Sequence, residues 1–171
     1  MERKAVEFLS KGRLMALATL RADGWPQATM VGYANAGLLL YFMISRQSQK
    51  FTNIQQDPRV SIAIGHEVDD VTRITGLSIA AYASEVSDPD QREHAYELML
   101  KRHPECRGYS APDLAESAIM RARCSIVTII DFRKGMGHTD VITVGASGLT
   151  VMEPARPDDW GFDPSHFPKH S

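Results

Sequence analysis

Hydrophobic and polar positions alternate in short runs along much of the chain, which is typical of strands with one buried face. Three runs lie within residues 13–45, where an Asp-Gly pair and the segment "ANAG" predict the turns between them. Further runs are "RVSIAIG", "DVTRITGLSIAAYASEVS", "CSIVTIIDF" and "DVITV", and Gly76 inside the longest run predicts a bulge or bend. The pattern predicts six or seven antiparallel strands.

Helical spacing and capping residues interrupt the strands. A first helix is predicted in "ERKAVEFLSKG" with Gly12 as its stop, and a second in "SRQSQKFTNIQQ" before Pro58. In "DPDQREHAYELMLKRHPE", Asp88 is the predicted N-cap and Pro89 the first helical residue. The segment "APDLAESAIMRA" repeats this cap-and-proline start at Pro112 and is also predicted as helical.

A meander of strands with helices inserted between them indicates a mainly β fold, a small antiparallel barrel flanked by helices. No repeat or linker interrupts residues 1–150, which are therefore predicted to form a single domain. Residues 151–171 form a proline-rich tail without periodicity. The tail is either disordered or laid against another surface, and Trp160, Phe162 and Phe167 count against pure disorder.

Composition narrows the class of protein. The chain has 171 residues, 43% hydrophobic and 23% charged, as expected for one globular domain. A net charge of −2 argues against general binding to nucleic acid or to a membrane surface. The apolar runs are shorter than the roughly 18 residues that cross a bilayer, and the two cysteines lack metal-ligand spacing. These features predict a cytoplasmic protein.

The segment "SRQSQK" carries its charges against the usual helical order. Arg46 and Lys50 lie in the first turns of the predicted helix, where the partial positive charge of the helix disfavours cations. A bound anion removes this conflict. The hydroxyls of Ser45 and Ser48 and the amide of Gln49 lie where helix-start N–H groups also point, which is the chemistry of a phosphate site. The alternative is a solvated surface turn.

A second candidate is the glycine-rich loop "RKGMGHTD", which contains His138. A histidine can contact a ligand or transfer a proton near neutral pH, although such a residue is more often part of the turn. The histidines lack the helical spacing of a zinc site, so no metal is predicted. No serine lies in a nucleophile elbow, and no catalytic acid or base is assigned.

Taken together, residues 14–88 resemble the pyridoxamine 5′-phosphate oxidase-like family of FMN-binding split β-barrels. The most specific element is Ser48 and Lys50 in a Ser-x-Lys pattern, followed by a short helix and then by Asp57 and Pro58 before the strand "RVSIAI". The resemblance implies that residues 1–150 are an FMN-binding domain. It also implies a homodimer with two FMN molecules in clefts between the subunits.

The resemblance implies which residues bind the cofactor. Ser48 and Lys50 match the family's phosphate-binding serine and lysine, while Gln49 replaces an arginine of the true oxidases and Arg46 is a possible substitute for it. The other candidates are expected near the flavin ring. The strand that lines the ring through its backbone matches Ala28, Thr29, Met30 and Val31; Thr72 or Arg73 matches a polar residue near the ring; and Lys134, His138 and Trp160 are candidates from the partner subunit.

The resemblance implies an FMN-dependent oxidoreductase with an unknown small-molecule substrate. Two alternatives remain open: a deazaflavin-dependent reductase on the same fold, and a protein that holds flavin or haem without turnover. The true oxidase holds pyridoxal phosphate with an extended basic and aromatic C-terminal segment. The proline-rich ending of this chain does not reproduce that segment, so the oxidation of pyridoxamine phosphate is not expected.

Overall fold

The structure is a computed structural model that describes residues 1–108, 113, 115–145 and 150–153. Its sheet is antiparallel, and pairing of the third strand with the sixth closes six of the strands into a barrel. The barrel strands are β1 (Leu14–Leu20), β2 (Pro26–Ala36), β3 (Leu39–Ser45), β4 (Arg59–Gly65), β5 (Thr75–Glu85) and β6 (Ser117–Asp131).

Two further strands continue the sheet outside the barrel, beside β6. They are β7 (Thr139–Val144) and β8 (Thr150–Glu153). The predicted mainly β barrel is confirmed, and β8 is an addition to the six or seven predicted strands. This strand crosses the domain boundary that was predicted after residue 150, while the rest of the predicted tail lies outside the described residues.

Three helices flank the barrel: α1 (Glu2–Lys11), α2 (Gln49–Gln56) and α3 (Pro89–Arg102). The first two lie at opposite ends of the strands, and α3 packs on the outside against β2, β3 and β6. We call the two ends the α2 end and the loop end. The α2 end holds Leu20, Ser45, Arg59, Glu85 and Ser117, and the loop end holds Leu14, Gly65, Thr75 and Asp131.

The barrel interior is filled by alternate residues of the strands, as the period-2 pattern requires. In β4, for example, every second residue is buried. Each buried aliphatic or aromatic side chain contributes about 1.5–3 kcal/mol through removal from water. The largest side chains of this core include Met15, Leu17, Tyr33, Phe42, Ile62, Leu77, Ile79, Met120 and Ile129.

Gly12 ends α1 as predicted, but through lack of space rather than through an unusual backbone conformation. Its φ is −76°, which any residue adopts. A Cβ at this position would collide with the hydroxyl of Tyr33, which donates to Leu9 O at 2.8 Å. Burial raises the pKa of Tyr33 to about 12 despite the nearby charge of Arg102. The glycine therefore makes room for a buried hydrogen bond between β2 and α1.

The helix predicted around Pro112 is wrong from Ser117 onward, where the chain forms the first half of β6. Asp113 does cap a turn, because its carboxylate accepts from the N–H of Ala115 at 2.8 Å, while Pro112 lies outside the described residues. Pairing with β3 on one side and β5 on the other outweighs the helical preference of this segment.

Gly76 does not mark the predicted bulge. It pairs in regular register with Gly65 and Ile130, and the register between β5 and β6 shifts at Ala80 and Ala81 instead, where β6 has one extra residue. A Cβ on Gly76 would lie 2.8 Å from the carbonyl oxygen of Ile64, so the glycine allows a close approach of β4. Within the described part of the chain, no helix has the length and apolar character needed to cross a membrane.

Candidate functional site

Part of one edge of β2 is unpaired. Residues 26–32 pair with β1 on one side, whereas pairing with β3 on the other side is confined to residues 33–36. Beyond that point β3 remains paired with β6 and separates from β2, which opens a gap in the barrel wall at the α2 end. Backbone N–H and C=O groups at such an edge are available to a ligand.

The outer surface beside this gap is apolar. Ala28 and Met30 face outward from β2, and Met30 is 64% exposed. Their partners across the sheet on β1 are alanines. Thr29 and Val31 face the barrel interior, so they can meet a ligand on the outer surface only through their backbone. An apolar surface next to unpaired backbone groups suits a flat heterocycle with a polar edge.

The start of α2 lies directly after β3, next to the gap. Ser48 is its N-cap: the hydroxyl accepts from Phe51 N–H at 3.3 Å and donates to Ser45 O at 2.6 Å. The first N–H groups of a helix have no partner inside the helix. Among the described residues those of Gln49 and Lys50 have no other acceptor, so they are open to an anion.

The neighbouring side chains differ in how far the protein already uses them. Ser45 Oγ accepts from Gln47 N–H at 3.2 Å and keeps its proton for another acceptor. Gln49 Nε2 donates to Asn53 Oδ1 at 2.9 Å. Lys50 is half-buried and forms no ion pair with the part of the chain that the structure describes. Lys50 is therefore the cation best placed to meet an anion here.

Arg46 is engaged by the protein. Its Nη1 donates to Glu85 Oε2 at 3.1 Å, and a second bond joins its Nη2 to Glu85 Oε1. Its guanidinium also lies 5.5 Å from the centre of the Phe51 ring. The hydrogen bond and charge of Glu85 raise the pKa of Arg46. The predicted role of Arg46 as a phosphate ligand would require this ion pair to open.

Thr72 and Arg73 were expected on a strand, but they lie in a 3₁₀ turn (Val71–Arg73) before β5. Asp70 caps this turn, accepting from Thr72 N–H at 2.9 Å and from the Thr72 hydroxyl at 2.7 Å. These two bonds hold the pKa of Asp70 below its usual value. Local bonds of this kind compete with strand pairing, which explains why the strand begins only at Thr75.

Lys134 and His138 both face a buried carboxylate at the loop end. Lys134 Nζ lies 2.9 Å from Asp140 Oδ2, and His138 Nε2 lies 3.3 Å from Asp140 Oδ1. Burial raises the pKa of Asp140, but the hydrogen bond and charge of Lys134, helped by His138, outweigh burial and lower it. Lys134 is thus already used within its own chain, whereas His138 Nε2 is buried beside Asp140 without a hydrogen bond among the described residues.

The structure therefore divides the predicted residues into two groups. Those of β2 and of residues 45–50 meet at the α2 end, whereas the 3₁₀ turn and the glycine-rich loop lie at the loop end. Strand β5 spans from one end to the other, on the order of 30 Å for an extended strand of its length. One chain cannot place both groups around a small ligand. Trp160 lies outside the described residues.

Asn53 was not among the predicted site residues; it is completely buried on the face of α2 that packs on the barrel. Its Nδ2 donates to Thr19 Oγ1 at 2.9 Å and lies 3.3 Å from Gln27 Oε1. The available signal was its position next to Ile54 on the face of the helix that packs on the barrel. Among the described residues, no group of three or more histidine, cysteine and acidic side chains is arranged to hold a metal ion.

In the comparison with protein families, the family "Pyridoxamine 5'-phosphate oxidase" matches residues 1–129. A comparison with curated protein sequences gave no match. The family match includes every predicted cofactor residue at the α2 end.

Solved structures with the same fold include three bacterial proteins. A haem-binding protein from Mycobacterium smegmatis aligns with a TM-score of 0.69 and 24% identity over 81% of this chain, which spans 57% of that protein. A conserved hypothetical protein from Mycobacterium tuberculosis aligns with a TM-score of 0.69 and 24% identity, covering 78% of this chain and 86% of that protein. HutZ, the haem storage protein from Vibrio cholerae, aligns with a TM-score of 0.62 and 21% identity, covering 72% of this chain and 89% of that protein. At these identities the likeness shows the fold.

Proposed function

Because this chain belongs to the pyridoxamine 5′-phosphate oxidase family, we propose that it is an FMN-dependent oxidoreductase acting on a small molecule. One observation carries the proposal: the unpaired edge of β2 lies beside a helix start whose N–H groups and Lys50 are open to an anion. FMN has a phosphate dianion and a flat ring with a polar edge, so the residues present fit it. When bound, FMN supplies the hydride or electron chemistry.

The phosphate would be held at the start of α2. The N–H groups of Gln49 and Lys50 and the hydroxyl of Ser45 can donate to its oxygens, and the Lys50 ammonium supplies the opposite charge. Ser48 acts indirectly, because its hydroxyl caps the helix and so fixes the direction of those N–H groups.

The flavin ring would lie on the outer surface of β2. The unpaired backbone groups of residues 26–32 can bond the polar edge of the ring, while Ala28 and Met30 cover its apolar face. Thr29 and Val31 pack inside the barrel and keep the strand in place. The protein would thus orient the ring and limit the access of water and substrate to it.

The proposed enzyme is a homodimer. Exposed apolar side chains concentrate on the hairpin of β1 and β2, where Leu14 is 57% and Trp25 71% exposed. Patches of this kind mark interaction surfaces. A partner copy offers a way to bring a loop end near an α2 end, and it would allow Thr72, Arg73, Lys134 or His138 of one subunit to approach the flavin of the other.

Two alternatives use the same surface. Haem is named for two of the similar structures, and a haem site needs an axial ligand. Within the described residues His103 Nε2 lies 3.0 Å from Tyr33 O, so this ring already has a protein partner, whereas His138 Nε2 is buried without a hydrogen bond. Haem is therefore distinguished from FMN by direct identification of the cofactor. A deazaflavin cofactor would occupy the same groove and is distinguished by direct identification.

The test is to identify the cofactor. The purified protein is expected to show flavin absorption bands, to release FMN on denaturation and to bind added FMN at one molecule per chain. Light scattering is expected to give the mass of a dimer. Reduction of the bound flavin by NADH or NADPH and reoxidation by an acceptor would demonstrate an oxidoreductase. A colourless protein that ignores FMN, or one that carries haem or a deazaflavin, would overturn the proposal.

A further inference from the structure

We propose that Asn53 is a positioning residue: it fixes the phosphate-binding start of α2 relative to the flavin-facing strand β2, and thereby sets the preference for FMN over flavins without phosphate. The inference rests on the proposed function. Asn53 itself is buried beneath the helix, and it acts through the groups that it holds.

Asn53 joins three elements with directed bonds. Its Nδ2 donates to Thr19 Oγ1 on β1 at 2.9 Å and lies 3.3 Å from Gln27 Oε1 on β2. Thr19 and Gln27 are direct partners across the sheet, so the side chain bridges one rung of the hairpin. Its Oδ1 accepts from Gln49 Nε2 at 2.9 Å, in the first turn of α2. The amide therefore connects the helix start to the strand.

The position of Gln27 in β2 gives this bridge its significance. Gln27 precedes Ala28 and lies within the segment that has the unpaired edge. Gln49 directly follows the N-cap of α2 and precedes Lys50. A fixed distance between these two points is a fixed distance between the ring surface and the phosphate donors.

A buried amide suits this task better than an apolar side chain would. Ile54, on the same face of α2, fills space in the core but tolerates small rotations of the helix. Three hydrogen bonds with defined directions restrict the rotation of a short helix about its axis, because any rotation of α2 leaves a buried polar group without a partner. Rotation matters at the helix start, where the N–H groups must converge on one anion.

Comparison of FMN with riboflavin separates this role from general stability, because the two molecules differ only by the phosphate. Loss of the bridge should misplace the phosphate donors and leave the ring surface intact. In Asn53→Leu, we expect FMN affinity to fall by about tenfold, the scale of one or two neutral hydrogen bonds. Riboflavin affinity should change by less than about twofold, so the preference for FMN shrinks.

A milder set of variants guards against misfolding of Asn53→Leu. Thr19→Val removes one acceptor of the Asn53 amide with little change of shape, and Thr19→Ser restores it. The matched control is Thr128→Val, the same change at another buried threonine, located on β6 away from α2. Thr19→Val should lower the preference for FMN by about threefold. Thr19→Ser and Thr128→Val should keep the wild-type preference.

The outcomes distinguish the inference from the proposed function. If the wild-type protein binds FMN more tightly than riboflavin and Thr19→Val keeps that ratio, the positioning role is wrong and the proposed function stands. Equal losses for FMN and riboflavin would show a purely structural role and would also overturn the inference. If the wild-type protein binds no flavin, the proposed function fails, and the inference fails with it.

Discussion

The two ends of the barrel treat their charges in opposite ways. At the loop end, the carboxylates of Asp131 and Asp140 are buried, and each is paired with at least one lysine or arginine side chain. At the α2 end, Arg46 is paired with Glu85, but Lys50 and the first N–H groups of α2 have no partner among the described residues. The buried carboxylates of the loop end are thus compensated by basic side chains, whereas the α2 end has donors available for an anion.

This difference separates the cations that are available to a ligand from those that already stabilise the fold. When a basic side chain moves away from a buried carboxylate, the carboxylate is left without a compensating charge. This costs several kcal/mol of stability. Lys134 therefore faces a penalty if it turns toward a ligand, while Lys50 does not. Lys134 and His138 were predicted as ligand-binding residues because they lie in a glycine-rich loop. Whether a basic side chain is already paired with a carboxylate is a better indicator of ligand binding.

The largest effect is expected for Lys50→Ala. Removal of the ammonium should weaken FMN binding by about 1.5–3 kcal/mol, the scale of a charge-assisted hydrogen bond, which corresponds to about 10- to 150-fold in the dissociation constant. Fluorescence titration measures it. The control is Lys11→Ala, because Lys11 is an exposed lysine paired with Glu7 on α1. Unchanged FMN affinity in a folded Lys50→Ala protein would remove Lys50 from the phosphate site.

At the loop end the expected effect is on stability. Asp131 binds Lys4 Nζ at 2.8 Å and Arg133 Nε at 2.8 Å. Asp131→Asn should lower the free energy of unfolding by about 1–3 kcal/mol, because the amide loses both charged bonds. Chemical denaturation measures it. FMN affinity should remain as in the wild type, and a marked loss of affinity would contradict the division between the two ends.

Acid should destabilise the same end. Hydrogen bonding by Arg133, helped by Lys4, outweighs burial and holds the pKa of Asp131 well below its usual range, and the pKa of Asp140 is also lowered. The unfolded chain therefore takes up these protons at a higher pH than the folded chain does. Stability from both groups is fully present above about pH 5 and is lost progressively below about pH 4.

The measurement is the melting temperature between pH 3 and pH 7. Asp131→Asn should melt below the wild type at pH 7, and the difference should narrow as the pH falls, because the unfolded wild-type chain takes up the Asp131 proton first and this favours its unfolding. A difference that stays constant over this range would show that the Asp131 charge contributes little.

The smallest effect on binding is expected for Arg46→Gln. Because Glu85 and Phe51 already engage Arg46, its removal should change the FMN dissociation constant by less than about twofold. The melting temperature should fall slightly, and Glu85→Gln should show the same small fall. A loss of FMN affinity as large as that of Lys50→Ala would mean that Arg46 leaves Glu85 and binds the phosphate.

The sequence predicted well what depends on local signals. Pro58 after the helix and the Asp-Gly turn at 23–24 act within a few residues, and the structure has α2 and the first hairpin where they were expected. Residues 117–122 were predicted as helical because a cap-and-proline start at Pro112 precedes them. These residues instead form a strand, because they pair with β3 and β5. That pairing cannot be predicted from the spacing of residues along the chain.

The candidate site was predicted only where local sequence signals mark it. Residues 45–50 and β2 were identified, but the partner of Arg46 lies 39 residues away and cannot be found from local sequence. Asn53 looked like an ordinary helical residue, because its bonds go to strands more than 25 residues earlier. Thr72 was expected on a strand because an apolar pattern follows it, but capping by Asp70 produces a 3₁₀ turn at this position.

The unpaired edge of β2 also affects the behaviour of the protein during synthesis. An open strand edge beside exposed apolar side chains is a template for pairing with a foreign strand, and such edges are frequent starting points of aggregation. A flavin and a partner subunit would cover it. We therefore expect the yield of non-aggregated protein from expressing cells to rise with their riboflavin supply. Parallel cultures with and without added riboflavin would measure this yield.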